Sequence, residues 1–170
     1  NLQSVDSSYN EQNWITAING ASSFSALSQD AIALCATNPV TPNPAEGPAY
    51  DSDANDLFKL DLYYDNPGLT FGGPTGQRNG NISQLVWQTR GRQRQGYTLQ
   101  YDYLDRLLTS YYADINAAGT ATTDQKYQEN ITYADARGNI ASITRNGLFK
   151  SAVHDICWTM GQIDNMTYTY

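Results

Sequence analysis

Tyr101-Asp102-Tyr103-Leu104-Asp105-Arg106-Leu107 is the stretch whose reading decides the fold. An aromatic residue and a carboxylate open it, turn-prone residues follow, and an apolar residue leads back out. The phrase recurs at Tyr133-Ala134-Asp135-Ala136-Arg137-Gly138-Asn139-Ile140 and, with Asn for Asp, at Tyr9-Asn10-Glu11-Gln12-Asn13-Trp14-Ile15. A fourth copy, Gly76-Gln77-Arg78-Asn79-Gly80-Asn81-Ile82, lacks the tyrosine and keeps the turn. Tyr and Ile suit a pleated, half-buried surface. Gly, Asn and Asp supply the positive φ that tight reversals need. A repeated hairpin cannot bury its own apolar face, so such units stack on their neighbours.

Outward from these turns, period-2 alternation marks the strands. Tyr97, Leu99, Tyr101 and Tyr103 alternate with Thr98, Gln100 and Asp102; Phe58, Leu60, Leu62 and Tyr64 alternate with Lys59, Asp61 and Tyr63. The pattern returns at Tyr127, Glu129, Ile131 and Tyr133, where Glu129 intrudes on the apolar side, and at Met166, Tyr168 and Tyr170. Two-faced strands fit an antiparallel sheet with one wet side. The expected fold is therefore all-β: consecutive antiparallel β-hairpins in a curved or spiralling sheet. Residues 1–170 read as one repeat region interrupted by an insert at about 21–55. Within the insert, Ser25–Ala36 fits a short helix and Asn38–Pro48 an irregular loop. The polar stretch Asn116–Asp124 fits a hairpin tip. Ala134, an extra residue between tyrosine and aspartate, suggests a bulge or register shift.

Leu, Ile, Val and Phe make up a little under a fifth of the chain, but thirteen Tyr and three Trp restore the capacity for a core. A net charge of −7 argues against nucleic acid, whose binding rests on clustered Lys and Arg. Arg90, Arg92 and Arg94 form the one basic run and read as a solvated turn. No apolar run approaches the roughly 20 residues that span a bilayer. Cys35 and Cys157 are too few to define a disulfide framework.

The repeated phrase resembles the YD repeats of the Rhs family, which includes bacterial Rhs and Tc-type toxin proteins and the animal teneurins. It is closest at Tyr101–Leu108 and Ile131–Gly147, and also visible at Val5–Ile18, Gly80–Trp87 and Ile163–Tyr170. The Asn-Trp-Ile turn and the Gly-Asn-Ile segment look like Bacteroidetes-type variants. The residues matching the repeat motif are Tyr9, Asn10, Trp14, Gly80, Asn81, Tyr101, Asp102, Arg106, Tyr133, Asp135, Gly138, Asn139 and Tyr168. The resemblance implies hairpins that wind into a hollow shell around a C-terminal toxin or effector. It implies a secreted or cell-surface bacterial protein whose partners are neighbouring repeats and the enclosed cargo. Both ends read as cut from a longer polymer. The family's self-cleaving aspartyl protease carries DPxG-type signatures; this chain has none, so that activity is not carried over.

Catalytic and metal-binding readings are weak. His154, Asp155 and Cys157 are close in sequence, but an extended strand puts His154 on the face opposite Asp155 and Cys157. Of Asp51, Asp53, Asp56, Asp61 and Asp65 most fall in turns or on a polar face, unlike a glycosidase pair held across a cleft. Asp51–Asn55 lacks the glycine and terminal glutamate of a calcium loop. Sequons at Asn81, Asn130 and Asn165 are short enough to arise by chance. The expectation is a non-catalytic structural segment without cofactor, metal, nucleic acid or membrane span. The alternative is an adhesin or carbohydrate- or protein-binding β-module. Shielded indoles would favour the shell, and a row of exposed ones the adhesin.

Overall fold

The computed structural model of the chain describes residues 5–19, 57–90, 92–116, 118–123, 125–150 and 158–170. These form one all-β antiparallel sheet. Its strands are β1 (Ser7–Tyr9), β2 (Ile15–Ile18), β3 (Phe58–Tyr63), β4 (Gln84–Thr89), β5 (Arg94–Tyr101), β6 (Leu107–Ile115), β7 (Ala121–Thr122), β8 (Glu129–Tyr133), β9 (Ile140–Lys150) and β10 (Trp158–Thr167). Each strand lies beside its neighbour in sequence, except that β7 and β8 both pair with β6. β1 and β10 stand at opposite ends of the order, so the sheet is open. The insert at about 21–55 with the helix expected at Ser25–Ala36, together with Cys35, Asp51, Asp53, Asp56, His154, Asp155 and Cys157, lies outside the described residues.

Residues facing each other across an antiparallel pair share a face. On one face, Leu60 meets Trp87, Leu62 meets Leu85, Leu85 meets Tyr97, and Tyr97 meets Tyr112. Trp87 stacks on Tyr97 at 5.6 Å between centroids, Tyr97 meets Tyr112 edge-on at 5.4 Å, and Tyr112 meets Tyr127 at 5.1 Å. Glu129, the polar intruder on this side, sits opposite Arg145 in β9. The Arg145 guanidinium forms an ion pair with Asp164 of β10.

The opposite face carries Lys59, Asp61, Gln84, Val86, Gln88, Thr98 and Ala113, and it is the more deeply enclosed one. Here the structure reverses the expected wet side: Gln84 and Thr98 are each 0% exposed. The cause is the segment 65–81 between β3 and β4, which folds back over the sheet. Phe71 and Leu69 pack with Val86, Ala113 and Ile115. Backbone polar groups on the covered, inner side of this loop must be satisfied, and side chains of the sheet supply the partners. The Leu69 N–H donates to Gln84 Oε1 at 2.9 Å, and Gln84 Nε2 donates to the Leu69 carbonyl at 3.1 Å and to Thr98 Oγ1 at 2.9 Å. The Thr98 hydroxyl donates to the Phe71 carbonyl at 2.8 Å, and Gln100 Nε2 to the Gly72 carbonyl at 2.9 Å. Asp61, on the same face, has its carboxyl raised by burial, offset in part by Arg94 and Lys59.

At Gly72 the loop comes close to β6. The φ of Gly72 is +68°, and a Cβ there would lie 2.7 Å from the Cβ of Tyr111. At Gly138, φ is +93° but the surrounding space is open. Gly138→Ala should therefore cost about 1 kcal/mol for backbone strain alone, and Gly72→Ala clearly more. Gln84→Leu, which strands the Leu69 backbone groups, should cost roughly 2–3 kcal/mol. Urea titration of the three variants checks this. A Gly72→Ala cost no larger than that of Gly138→Ala would mean the loop is not seated on Tyr111.

Candidate functional site: a ladder of turns clasped by tyrosine hydroxyls

Every repeat turn lies at one end of the sheet, and each is built by an Asx residue. Asn10 Oδ1 accepts from the N–H groups of Gln12 (3.0 Å) and Trp14 (2.9 Å). Asp102 Oδ1 accepts from Leu104 (2.9 Å) and Arg106 (3.0 Å), and Asp135 Oδ1 from Arg137 (2.9 Å) and Asn139 (3.3 Å). A side chain that mimics a backbone acceptor holds the turn before the strands pair. The third residue after each Asx takes positive φ: Asn13 at 61°, Asp105 at 62° and Gly138 at 93°. Only Asn, Asp and Gly enter that region readily, which accounts for the spacing of the motif. In the remaining repeat turn Asn79 Oδ1 accepts from the Asn81 N–H at 3.0 Å, and Gly80 has a φ of 95°.

A bulge accompanies each of the three turns built on Asn10, Asp102 and Asp135. Tyr9 faces Ile15, Tyr101 faces Leu107 and Tyr133 faces Ile140, with a register shift immediately before each tyrosine. Ala134 is therefore not the cause of the shift, which occurs equally in the two copies that lack it. Ala134 instead widens the turn: its N–H bonds the Asn139 carbonyl, five residues on, where the Asp102 N–H bonds Arg106, four residues on.

The tyrosine hydroxyls tie one turn to the next. Tyr101 donates to the Ile82 carbonyl at 2.9 Å, and Tyr133 to Leu107 at 2.9 Å. Two further tyrosines make the same bond: Tyr64 to Ile15 at 2.9 Å and Tyr170 to Ile140 at 3.0 Å. Every acceptor is the apolar residue that leaves the preceding turn. The register is the same at all four. The residue two places after the acceptor faces the residue three places before the tyrosine: Ala17 with Asp61, Gln84 with Thr98, Thr109 with Asn130, and Ser142 with Thr167.

The copy that reads as lacking a tyrosine thus has one, Tyr64, separated from its turn by the segment that covers the sheet. At the far end Tyr170 holds the clasping position. Tyr168 stands elsewhere, its hydroxyl 3.5 Å from Met166 Sδ. Tyr9 occupies the matching place in the first hairpin but is 58% exposed. The hairpin tip expected at Asn116–Asp124 joins β6 to β7, and there Asn116 Oδ1 accepts from the Thr120 N–H at 2.8 Å and Gly119 has a φ of 79°.

Side chains on the turns complete the ladder. Trp14 packs on Tyr64 with ring centroids 5.0 Å apart and lies beside Gly80. Arg106 sits 4.1 Å over the Tyr133 ring, donates to the Asp135 carbonyl at 2.5 Å, and forms an ion pair with Asp102. Asn79 Nδ2 donates to Asp105 Oδ1 at 2.5 Å, and Asn139 Nδ2 to Asp135 Oδ2 at 3.0 Å. Asn81 Nδ2 is buried without a hydrogen-bond partner, the one such side-chain atom among the described residues. Elsewhere, Arg90 and Arg92 are exposed and Arg94 is half-buried. Among the described residues no group of three or more His, Cys, Asp or Glu side chains could hold a metal ion, and no helix is long and apolar enough to cross a membrane.

Tyr101→Phe and Tyr133→Phe should each lose about 1 kcal/mol of stability, the net worth of one hydrogen bond, whereas Tyr9→Phe should leave the urea midpoint unchanged. Equal effects at all three positions would remove the clasp as the cause. The Arg106 hydrogen bond holds the Asp102 carboxyl below its ordinary value of 3.8. A carboxyl lowered in the folded state adds stability above its unfolded pKa, and the gain is lost as pH falls through the lowered one. Urea midpoints between about pH 5 and pH 2 should therefore fall less steeply for Asp102→Asn than for the parent chain.

No family model, curated protein or solved structure matches the chain.

Proposed function

We propose that the chain is a non-catalytic structural segment of an Rhs/YD-repeat shell that encloses a C-terminal toxin or effector. The observation that supports this reading is the tyrosine clasp. Four hydroxyls each reach back to the exit carbonyl of the preceding turn in one register, so each hairpin is completed by its neighbour. Such a rule adds units to a wall without limit, and a wall of this kind can surround a cargo. The large side chains serve the wall as well. Trp14 and Trp87 are both half-buried and engaged with tyrosine rings, which gives the adhesin reading less to work with than a row of exposed indoles would. The resemblance in the repeat motif supplies the rest: a secreted or cell-surface bacterial protein, partnered by neighbouring repeats and by the enclosed domain.

Limited proteolysis of the full-length gene product tests the reading. A C-terminal domain should follow further turns of this kind and resist protease until the repeats unfold. Cleavage at the same rate with and without the repeats would overturn it. So would glycan binding by this chain that Trp87→Ala abolishes, which would point to the adhesin.

A further inference from the structure

Among the described residues Tyr9 stands in a clasping position with no turn carbonyl to meet its hydroxyl. Tyr64, Tyr101, Tyr133 and Tyr170 each donate to the exit carbonyl of the preceding turn. Tyr9 holds the corresponding position, opposite Ile15 across its own bulge, yet it is 58% exposed. Among the described residues no strand pairs with the outer edge of β1. An unpaired edge offers a row of backbone donors and acceptors to an added strand.

We propose that the outer edge of β1, with the Tyr9 hydroxyl, is a docking site for one kind of strand: the return strand of another Asx-turn hairpin, running antiparallel to β1 from the turn end of the sheet. This rests on the repeat reading of the chain, not on the presence of a cargo. The four observed clasps fix polarity and register together. The strand beside each tyrosine leaves its turn at the ladder end, so a strand of opposite direction would present no exit carbonyl there. In all four clasps the residue three before the tyrosine faces the residue two after the acceptor. For Tyr9 that residue is Asp6, an exposed side chain whose N–H and carbonyl both bond Asn19 on the β2 side. Asp6 thus faces its outer neighbour as a non-hydrogen-bonded pair, the closer of the two antiparallel spacings. A one-residue slip would turn every docked side chain to the wrong face.

The chain supplies its own probe. A peptide of residues 135–150 contains the Asp135 turn, the exit residue Ile140 and the whole of β9. In the proposed register its Ser142 lies opposite Asp6. The 170-residue protein carrying Asp6→Cys is incubated under mild oxidation with the peptide carrying Ser142→Cys, alongside a peptide with Ile143→Cys and a scrambled peptide of the same composition. Disulfide formation should favour Ser142→Cys several-fold over both controls. Adding Tyr9→Phe should weaken peptide binding by about 3- to 10-fold, the loss of one hydrogen bond, while Tyr170→Phe should not. Equal cross-linking at the two peptide positions, or binding indifferent to Tyr9→Phe, would overturn the proposal. Either result could occur in a protein whose longer product still shields a cargo from protease, so the two readings fail separately.

Discussion

The carbonyl that leaves each turn is the constraint on which the sheet depends. A bulge leaves backbone groups out of the regular ladder, and here one accompanies each Tyr-Asx turn. At the exits Ile15, Ile82, Leu107 and Ile140 the acceptor is met by a phenolic hydroxyl from the next hairpin. Tyrosine suits the task because its ring spans the strand spacing as apolar surface and carries a donor at its tip. Phenylalanine would keep the surface and leave the carbonyl unmet. The repeat tyrosine is thus a bond between hairpins, while the Asx residue beside it is a bond within one.

Because the two bonds are separable, the hairpins tolerate different turn lengths without losing register. Residues 65–81 separate Tyr64 from Ile82, yet the pairing beyond Ile82 matches that beyond Leu107, which follows a turn of only five residues. Loop closure grows costlier only slowly with length, and the longer segment recovers stability by covering the sheet. Gln84, Thr98 and Gln100 make that cover possible by bonding the carbonyls of Leu69, Phe71, Gly72 and Gly73. Polar side chains in alternation then belong to a buried face, because the surface above them is backbone rather than hydrocarbon.

The sequence made some of this legible and hid the rest for definite reasons. The all-β hairpin order and the turns at Asn10, Asp102 and Asp135 followed from turn chemistry, which is local. Tyr64 was hidden because its partner turn is distant in sequence and only the three-dimensional register joins them. Tyr168 and Tyr170 share one side of their strand by period-2 alternation, so pattern alone cannot choose between them; reach to the Ile140 carbonyl does. Over β4 and β5 the expected wet face is covered, because alternation reports which residues differ, not what covers them; on β8 and β10 Thr132 and Thr167 of the same face are exposed. The hairpin tip between β6 and β7 was legible too, from the polar stretch Asn116–Asp124.

Direction is the last consequence. Every clasp runs from a later tyrosine to an earlier turn, so the ladder has a donor end and an acceptor end even though its strands alternate in direction. One net hydrogen bond contributes only about 1 kcal/mol, small beside the 5–15 kcal/mol of a typical domain. Four such bonds matter more for what they forbid. A hairpin docked one residue out of place, or in reverse, meets no hydroxyl, leaves a carbonyl without a partner, and turns its side chains to the wrong face. Local turn preference and the bond between hairpins then select the same register, and such agreement across levels is what separates a unique sheet from a family of slipped ones.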